Sequence, residues 1–420
     1  MHSLFKIQKV TARQVLDSKG TPTIEANVFT QWAVGSAMVP SGASTGRYEA
    51  VELRDHKKTY YHGKSVLNAV NHVNTLISKE LQGVDVTKQK DIDRHMILLD
   101  GTPNKSRLGA NAILAVSLAT SRTAAQCVNA YLFDYIADKF GNKRLTLPVP
   151  FALMVEGGEH AGNALDFQEF MIAPIKAKSF AQATEIVAET YQVLKKVIEK
   201  KYGQTATNVG FEGGFAPPLH TAEQALDLIT EALEISGHKR KAKIAIDSAA
   251  SEFYHKGHYM GKTREWLLDY YKKLVKTYPI ISLEDPFEQN DFHMFTQITK
   301  ELGKKIQIVA DDITVTNVDR ITKAIQLKSA NTLLLKVNQI GTLTEAMDAA
   351  KLAMKSKWKI MVSHRGGDTE DPYIADLAVG LGVGQLKIGA PCRSDRTCKY
   401  NQLLRIEELF GKRIKYAGWE

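Results

Sequence analysis

The sequence predicts an α/β protein in which a small α+β unit precedes a parallel β/α barrel. Two observations carry this. The first part runs strands first and helices after, whereas beyond residue 150 strand and helix alternate to the end. That alternation covers roughly the ~250 residues such a barrel takes. A third observation weakens the runner-up, an open doubly wound sheet: no GxGxxG fingerprint follows an early strand of the alternating region.

Residues 4–40 read as a β-meander. "FKIQKVTARQVL", "PTIEANVFT" and "GSAMVP" are alternating or β-branched runs, broken by "DSKGTP" and "QWAVG". "PSGASTGRYEAVEL" (40–53) starts small and flexible, with no apolar period. Helical periodicity follows at 64–81, 86–98, 108–127 and 131–140. "GNKRLTLPVP" (141–150), with a glycine and two prolines, reads as the junction, so the expected units are 1–140 and 141–420. Beyond it, helices expected at 179–202, 221–236, 263–276, 291–302, 317–328, 342–356, 371–381 and 397–409 surround short apolar runs.

Bulk properties narrow the function classes. At 420 residues the chain can bury more than one core. Charged residues at 24% and apolar ones at 44% describe an ordinary water-soluble composition. The net charge of +9 suits an anionic substrate, but the basic residues form no long run, so nucleic acid is not the expected partner. Three cysteines without a CxxC pair suit a reducing compartment. "MHSLFKIQKVTARQV" has no apolar signal core, and no apolar run approaches the ~18–20 residues that span a bilayer. The expectation is a cytoplasmic protein with no membrane insertion.

The chemistry gathers at the ends of the apolar runs. "KIAID" ends at Asp247, "ISLED" at Glu284 and Asp285, "IQIVADD" at Asp311 and Asp312. "LLLKV" carries Lys336, "IMVSHR" His364 and Arg365, and "QLKIG" Lys387. In a parallel barrel these ends open onto one mouth. Acids from three neighbouring strands repel unless something positive lies among them. With no Cys or His in the set the donors are all oxygen, which favours Mg²⁺ over zinc. Across the mouth, Lys336 and Lys387 are expected to face one another and the metal, where nearby positive charge disfavours the ammonium and makes a lysine available as a base. Metal, base and further cations together suit removal of a proton next to a carboxylate.

At this point the chain resembles the enolases nearly end to end. The resemblance rests on "PSGASTG", "LGANAILAVSLA", "GGEHAGNALDFQEFMI", "EGGFAPP", "SLEDPFEQND", "DDITVTN", "LLLKVNQIGTLTEA", "VSHRGGDTED" and "GAPCRSDRTCKYNQLLRIEE". It implies an enolase-type barrel and Mg²⁺-dependent dehydration of 2-phosphoglycerate, in a homodimer or larger assembly. It makes Asp247, Glu284 and Asp311 the ligands of one Mg²⁺. A second Mg²⁺, recruited with substrate, is held partly by Ser44 of the glycine-rich lid. The resemblance makes Lys336 the base at C2, and Glu212 the acid that helps the C3 hydroxyl leave. His160 and Glu169 support the leaving-group side, Lys387 and His364 contact substrate, and Arg365 clamps its phosphate. Each has a bland alternative: a strand-end charge for Glu169, a satisfied loop histidine for His160, a turn residue for Ser44.

The sequence departs from the family pattern near that pocket. Gly366 stands where a serine usually bonds the phosphate, leaving only its backbone N–H as the substrate contact. Phe211 replaces an aspartate beside Glu212, Glu156 an asparagine near His160, and Ile388 a threonine after Lys387. Lys19 and Thr21 replace arginine and asparagine in "DSKGTPT". A phenyl ring beside Glu212 is expected to desolvate it and raise its pKa. These changes leave two alternatives to the leading reading. One is an enolase-like lyase acting on a related phosphorylated or phosphonate carboxylic acid. The other is a non-catalytic binding paralogue, against which the dispersed charge argues.

Overall fold

The computed structural model describes residues 4–42 and 46–419. The meander comprises β1 (Lys9–Leu16), β2 (Pro22–Phe29) and β3 (Val34–Met38), paired antiparallel in that order. The β1–β2 turn is set by Asp17, whose Oδ1 accepts the backbone N–H groups of Lys19 (2.9 Å) and Thr21 (2.8 Å), with Gly20 at φ 70°. β2 is buried along most of its length, and the helix Ala110–Cys127 packs against it and β3. That helix is buried almost all round, and several of its polar residues find partners. Thr123 Oγ1 accepts the Gly35 N–H at 2.9 Å, and Ser121 Oγ lies 2.7 Å from the Tyr373 hydroxyl.

The barrel strands are β4 (Val149–Glu156), β5 (Glu169–Ala173), β6 (Lys243–Asp247), β7 (Ile280–Glu284), β8 (Gln307–Ala310), β9 (Thr332–Leu335), β10 (Lys359–Ser363) and β11 (Gln385–Lys387). They close in sequence order, β11 pairing with β4. Most of the helices that wrap them start on side-chain caps, Tyr373–Leu381 and Ser394–Phe410 being exceptions. Ser179, Thr221, Thr263, Asp291, Asn317 and Thr342 each accept a backbone N–H in the first helical turn, worth ~1 kcal/mol apiece. Their spans, from Phe180–Tyr202 to Ser394–Phe410, match the expected ranges to within three residues.

One strand corrects the all-parallel expectation. β5 runs antiparallel to both neighbours, β4 and β6. Between β4 and β5 the chain makes only a 3-10 turn, Gly158–His160, so it folds back as a hairpin instead of crossing over on a helix. The consequence is that Glu169, the first residue of β5, lies at the mouth where the other strands end.

Meander and barrel are joined around the loop after β10. Arg122 Nη1 donates to Asp371 Oδ2 at 2.7 Å, and the same oxygen accepts the Met38 N–H at 3.0 Å. Ser41 and Gly367 exchange both backbone hydrogen bonds, 2.6 and 3.0 Å. A side chain at 367 would bring Cβ within 2.3 Å of Ser41 Oγ and 2.7 Å of Asp17 Oδ2, so this glycine is required by close approach. Among the described residues no helix is long and apolar enough to cross a membrane.

Candidate active site

Strand register builds the mouth. Asp247 stands opposite both Glu169 and Glu284, and Glu284 opposite Val309, two residues before Asp311. The Lys387 ammonium lies 2.7 Å from Asp247 Oδ2, 2.8 Å from Glu284 Oε1 and 2.9 Å from Glu169 Oε1. Lys336 Nζ lies 2.5 Å from Asp311 Oδ2, whose other oxygen accepts from Gln339 Nε2 at 2.8 Å. Asp285, at φ 40°, accepts the N–H groups of Asp311 (3.0 Å) and Asp312 (2.8 Å) and so ties the ends of β7 and β8 together.

One expectation about these lysines is corrected: each has carboxylate partners of its own, so the ammonium form is favoured and not disfavoured. Burial disfavours both ammonium groups, but Asp311 outweighs it at Lys336, and Asp247, Glu169 and Glu284 outweigh it at Lys387. Both pKa values move up, that of Lys387 well above its ordinary value. The proton on Lys336 is held by Asp311 and is loosened when that carboxylate is drawn to another cation.

The opposite side of the mouth is short of partners. Glu212 is buried, with Oε2 3.3 Å from His364 Nε2 and Oε1 3.5 Å from His160 Nδ1. Arg396 donates to His364 Nδ1 at 2.6 Å, which leaves Nε2 of the neutral ring to carry the hydrogen toward Glu212. Both His160 nitrogens, Glu169 Oε2, Glu212 Oε2 and His364 Nε2 are buried without a hydrogen bond. They converge with Asp247, Asp311, Lys336, Lys387, Arg365 and Gly366 on one small cavity. A larger hollow of ≈ 540 Å³ lies elsewhere, between Phe167, Trp266 and Tyr270, and brings no such set together.

The Phe211 expectation is overturned. Its side chain is 40% exposed and stands 6.1 Å, centroid to centroid, from the His160 ring; it does not cover Glu212. Burial pushes the Glu212 carboxyl up, but His364, His160 and Arg396 outweigh it and hold the group well below the carboxylate range. Arg396 is the permanent charge among them, since burial and Arg396 itself lower His364 to about 4. Burial and the neighbouring Glu212 push Glu169 the other way, well up, against Lys387. Of the two carboxyls, Glu169 therefore keeps its proton more readily.

Arg365 holds the carboxylate of Glu49 in a two-pronged grip, Nη1–Oε2 and Nη2–Oε1 both 3.0 Å, and also reaches Asn338 Oδ1 at 3.0 Å. Gly366 is buried at the mouth, and its carbonyl accepts from Arg396 Nη2 at 2.8 Å. Ile388 is buried in the barrel wall. Ser44 lies outside the described residues. Sequence reasoning missed Glu49, Asn338, Gln339 and Arg396. All stand inside quoted motifs, but only their contacts single them out; full burial of an arginine, as at Arg396, has no local sequence signature.

The residues fit a divalent cation. Two of the three expected ligands, Asp247 and Glu284, line the seat now filled by the Lys387 ammonium together with Glu169, an all-carboxylate donor set suited to a hard ion, while Asp311 is held by Lys336 and acts on Glu284 from beside it. Burial and Asp247 push Glu284 well up, while Lys387, Glu284 and Lys336 outweigh burial at Asp247 and hold it low. Such a split marks carboxylates short of positive charge.

Fold and mouth together define a metal-dependent barrel enzyme. The description "Enolase, N-terminal domain" matches residues 7–136 and "Enolase, C-terminal TIM barrel domain" residues 144–420. The enolase of Methanocaldococcus jannaschii is 55% identical over 100% of this chain and 98% of its own. Those of Thermococcus kodakarensis and Pyrococcus furiosus are 54% and 53% identical with the same coverage. The chain belongs to the enolase family, whose members are hydro-lyases.

Proposed function

We propose that this mouth dehydrates 2-phosphoglycerate to phosphoenolpyruvate and water with Mg²⁺. The observation that carries the reading is the split of the mouth into a carboxylate cation seat with Lys336 beside it and, facing it, a set of unpartnered proton-carrying groups. Asp247, Glu284 and Asp311 hold the metal, which when bound supplies positive charge beside the substrate carboxylate and lowers the cost of the enolate. Asp311, engaged there, releases Lys336 to take the C2 proton. The C3 hydroxyl leaves as water on a proton delivered from the Glu212–Glu169 side, with His160 neutral beside it. Lys387 and His364 line the substrate, and its phosphate takes the Arg365 seat that Glu49 now fills. Ser44 remains a ligand of a second, substrate-recruited Mg²⁺ on the resemblance alone. We also assign the division into units 1–140 and 141–420, a homodimer or larger assembly, and a cytoplasmic location.

The test is the rise in ultraviolet absorbance of the enol product when 2-phosphoglycerate and Mg²⁺ are added to purified protein. No rise at saturating substrate and metal overturns the reading. A second reading, a related phosphorylated or phosphonate acid, is favoured by Gly366, which offers the phosphate no side chain. Faster turnover of another acid from a panel would establish it.

A further inference from the structure

Glu156, the last residue of β4, is fully buried and plays no part in the reaction proposed above. Its Oε1 accepts the backbone N–H of Glu212 at 2.9 Å and its Oε2 that of Gly214 at 3.0 Å. These bonds bring a second carboxylate against the Glu212 side chain and the His160 ring. His160 Nδ1 lies 3.5 Å from Glu212 Oε1 and 3.9 Å from Glu156 Oε1. One donor atom from each of the three residues lies within 4.8 Å of the others. The imidazole is 4% exposed, and neither of its nitrogens has a hydrogen bond.

We propose that Glu156, His160 and Glu212 form a further metal site, separate from both Mg²⁺ positions, which takes a transition ion of the Zn²⁺ class and switches the enzyme off. Zn²⁺ bonds of ~2.0–2.2 Å at tetrahedral angles set donor atoms roughly 3.3–3.6 Å apart, so the His160–Glu212 pair at 3.5 Å already stands at ligand spacing and the Glu156 carboxylate, within 4.8 Å, has to close on it. An imidazole among the ligands selects Zn²⁺ or Co²⁺ over Mg²⁺. Three protein ligands leave the fourth position open toward the cavity. The charge balance agrees. Two carboxylates meet here in a buried place, yet Lys387 is engaged by Glu169, Asp247 and Glu284. The Arg396 nitrogens reach His364, the carbonyls of Arg365 and Gly366, and the carboxylates of Asp395 and Asp368. Arg396 acts on the two carboxylates only through space, so a divalent ion supplies the positive charge that can bond them directly. The family's usual asparagine at 156 carries no charge, so the site belongs to this sequence. Inhibition rests on the role proposed for Glu212; the binding of the ion does not.

The test uses the whole chain with Mg²⁺ at saturation. Co²⁺ is followed by its visible absorption and Zn²⁺ by calorimetry. One Co²⁺ per chain is expected, with the intense band of a low-coordinate, nitrogen-ligated ion. Glu156→Asn is expected to weaken it ~100-fold or more, since even loss of an outer partner costs 10–100-fold. The turnover of that variant should no longer be sensitive to Zn²⁺. Should Glu156→Asn fold poorly, His160→Gln reads the same band through the other ligand. An ion that survives both substitutions and is displaced by further Mg²⁺ sits at the carboxylate seat, and overturns the proposal. A cobalt band in a protein inactive on 2-phosphoglycerate would overturn the proposed reaction and leave the site standing.

Discussion

The two sides of the mouth solve opposite problems. On the side of Asp247, Glu284 and Asp311, acids meet an opposite charge within 3 Å, from Lys387 or Lys336. On the side of His160, Glu212 and His364, buried donors and acceptors have no hydrogen-bonding partner. The first side is preassembled around a cation, the lysine ammonium groups standing among its carboxylates. The second is held open at a cost of ~1–3 kcal/mol for each unmet polar group, which a substrate can relieve. The departures Glu156, Phe211 and Gly366 border the second side; on the first only Ile388, after Lys387, departs, and the carboxylates do not.

The comparison breaks most plainly at the metal. Glu284→Ala is expected to remove detectable Mg²⁺ binding and turnover, read by calorimetry and by product absorbance. Retained full-affinity binding would show that the seat is only an ion-paired core. The next effect separates the sides. Lys336→Ala should lose exchange of the C2 proton with deuterated water, and Glu212→Gln should keep much of that exchange yet fail to expel water, each change costing ~10²–10⁴-fold. The opposite pattern reverses the assignment. Gly366→Ser should tighten 2-phosphoglycerate by roughly one to two decades, the equivalent of a ~1.5–3 kcal/mol hydrogen bond to a charged group. An unchanged KM on every substrate makes that departure neutral.

The smallest effect is one of pH. The fold holds His364 neutral down to about 4, whereas an unfolded histidine takes up its proton near ~6.5. Between those values the unfolded chain binds more protons, so the stability His364 contributes is complete above about pH 6.5 and is lost as pH falls toward 4. Denaturant melts of the parent and of His364→Gln across that window should differ in slope by up to about one proton; identical slopes would place the ring in water.

Much of this was legible in the sequence because it depends on short-range pattern. The charges closing Asp247, Glu284 and Lys387 mark strand ends without any knowledge of packing, and helix periodicity gave the helical spans. What escaped depends on what faces what. The reversal of β5 is a property of the connection before it, and that stretch carries no helix signal either way. The state of Lys336 turns on one carboxylate from the preceding strand. Phe211 reads as a buried phenyl by type, yet its backbone turns it outward. Residues 43–45, which include Ser44, lie outside the described structure and stay where the resemblance put them.

The reversed strand also bears on the order in which the barrel assembles. β4 and β5 meet through a short hairpin, Glu156 opposite Glu169, whereas the seam that shuts the cylinder joins Val149 to Gln385, near the far end of the chain. Loop-closure entropy rises as (3/2)RT ln n, so the seam costs about 2–3 kcal/mol more to close than the hairpin. Distant contacts are also the slow ones to form. The hairpin should gain protection early in refolding, with Glu156 and Glu169 already side by side, and the β11–β4 amides last. Pulsed hydrogen exchange during refolding measures this directly; seam amides protected before those of β5 would refute the order.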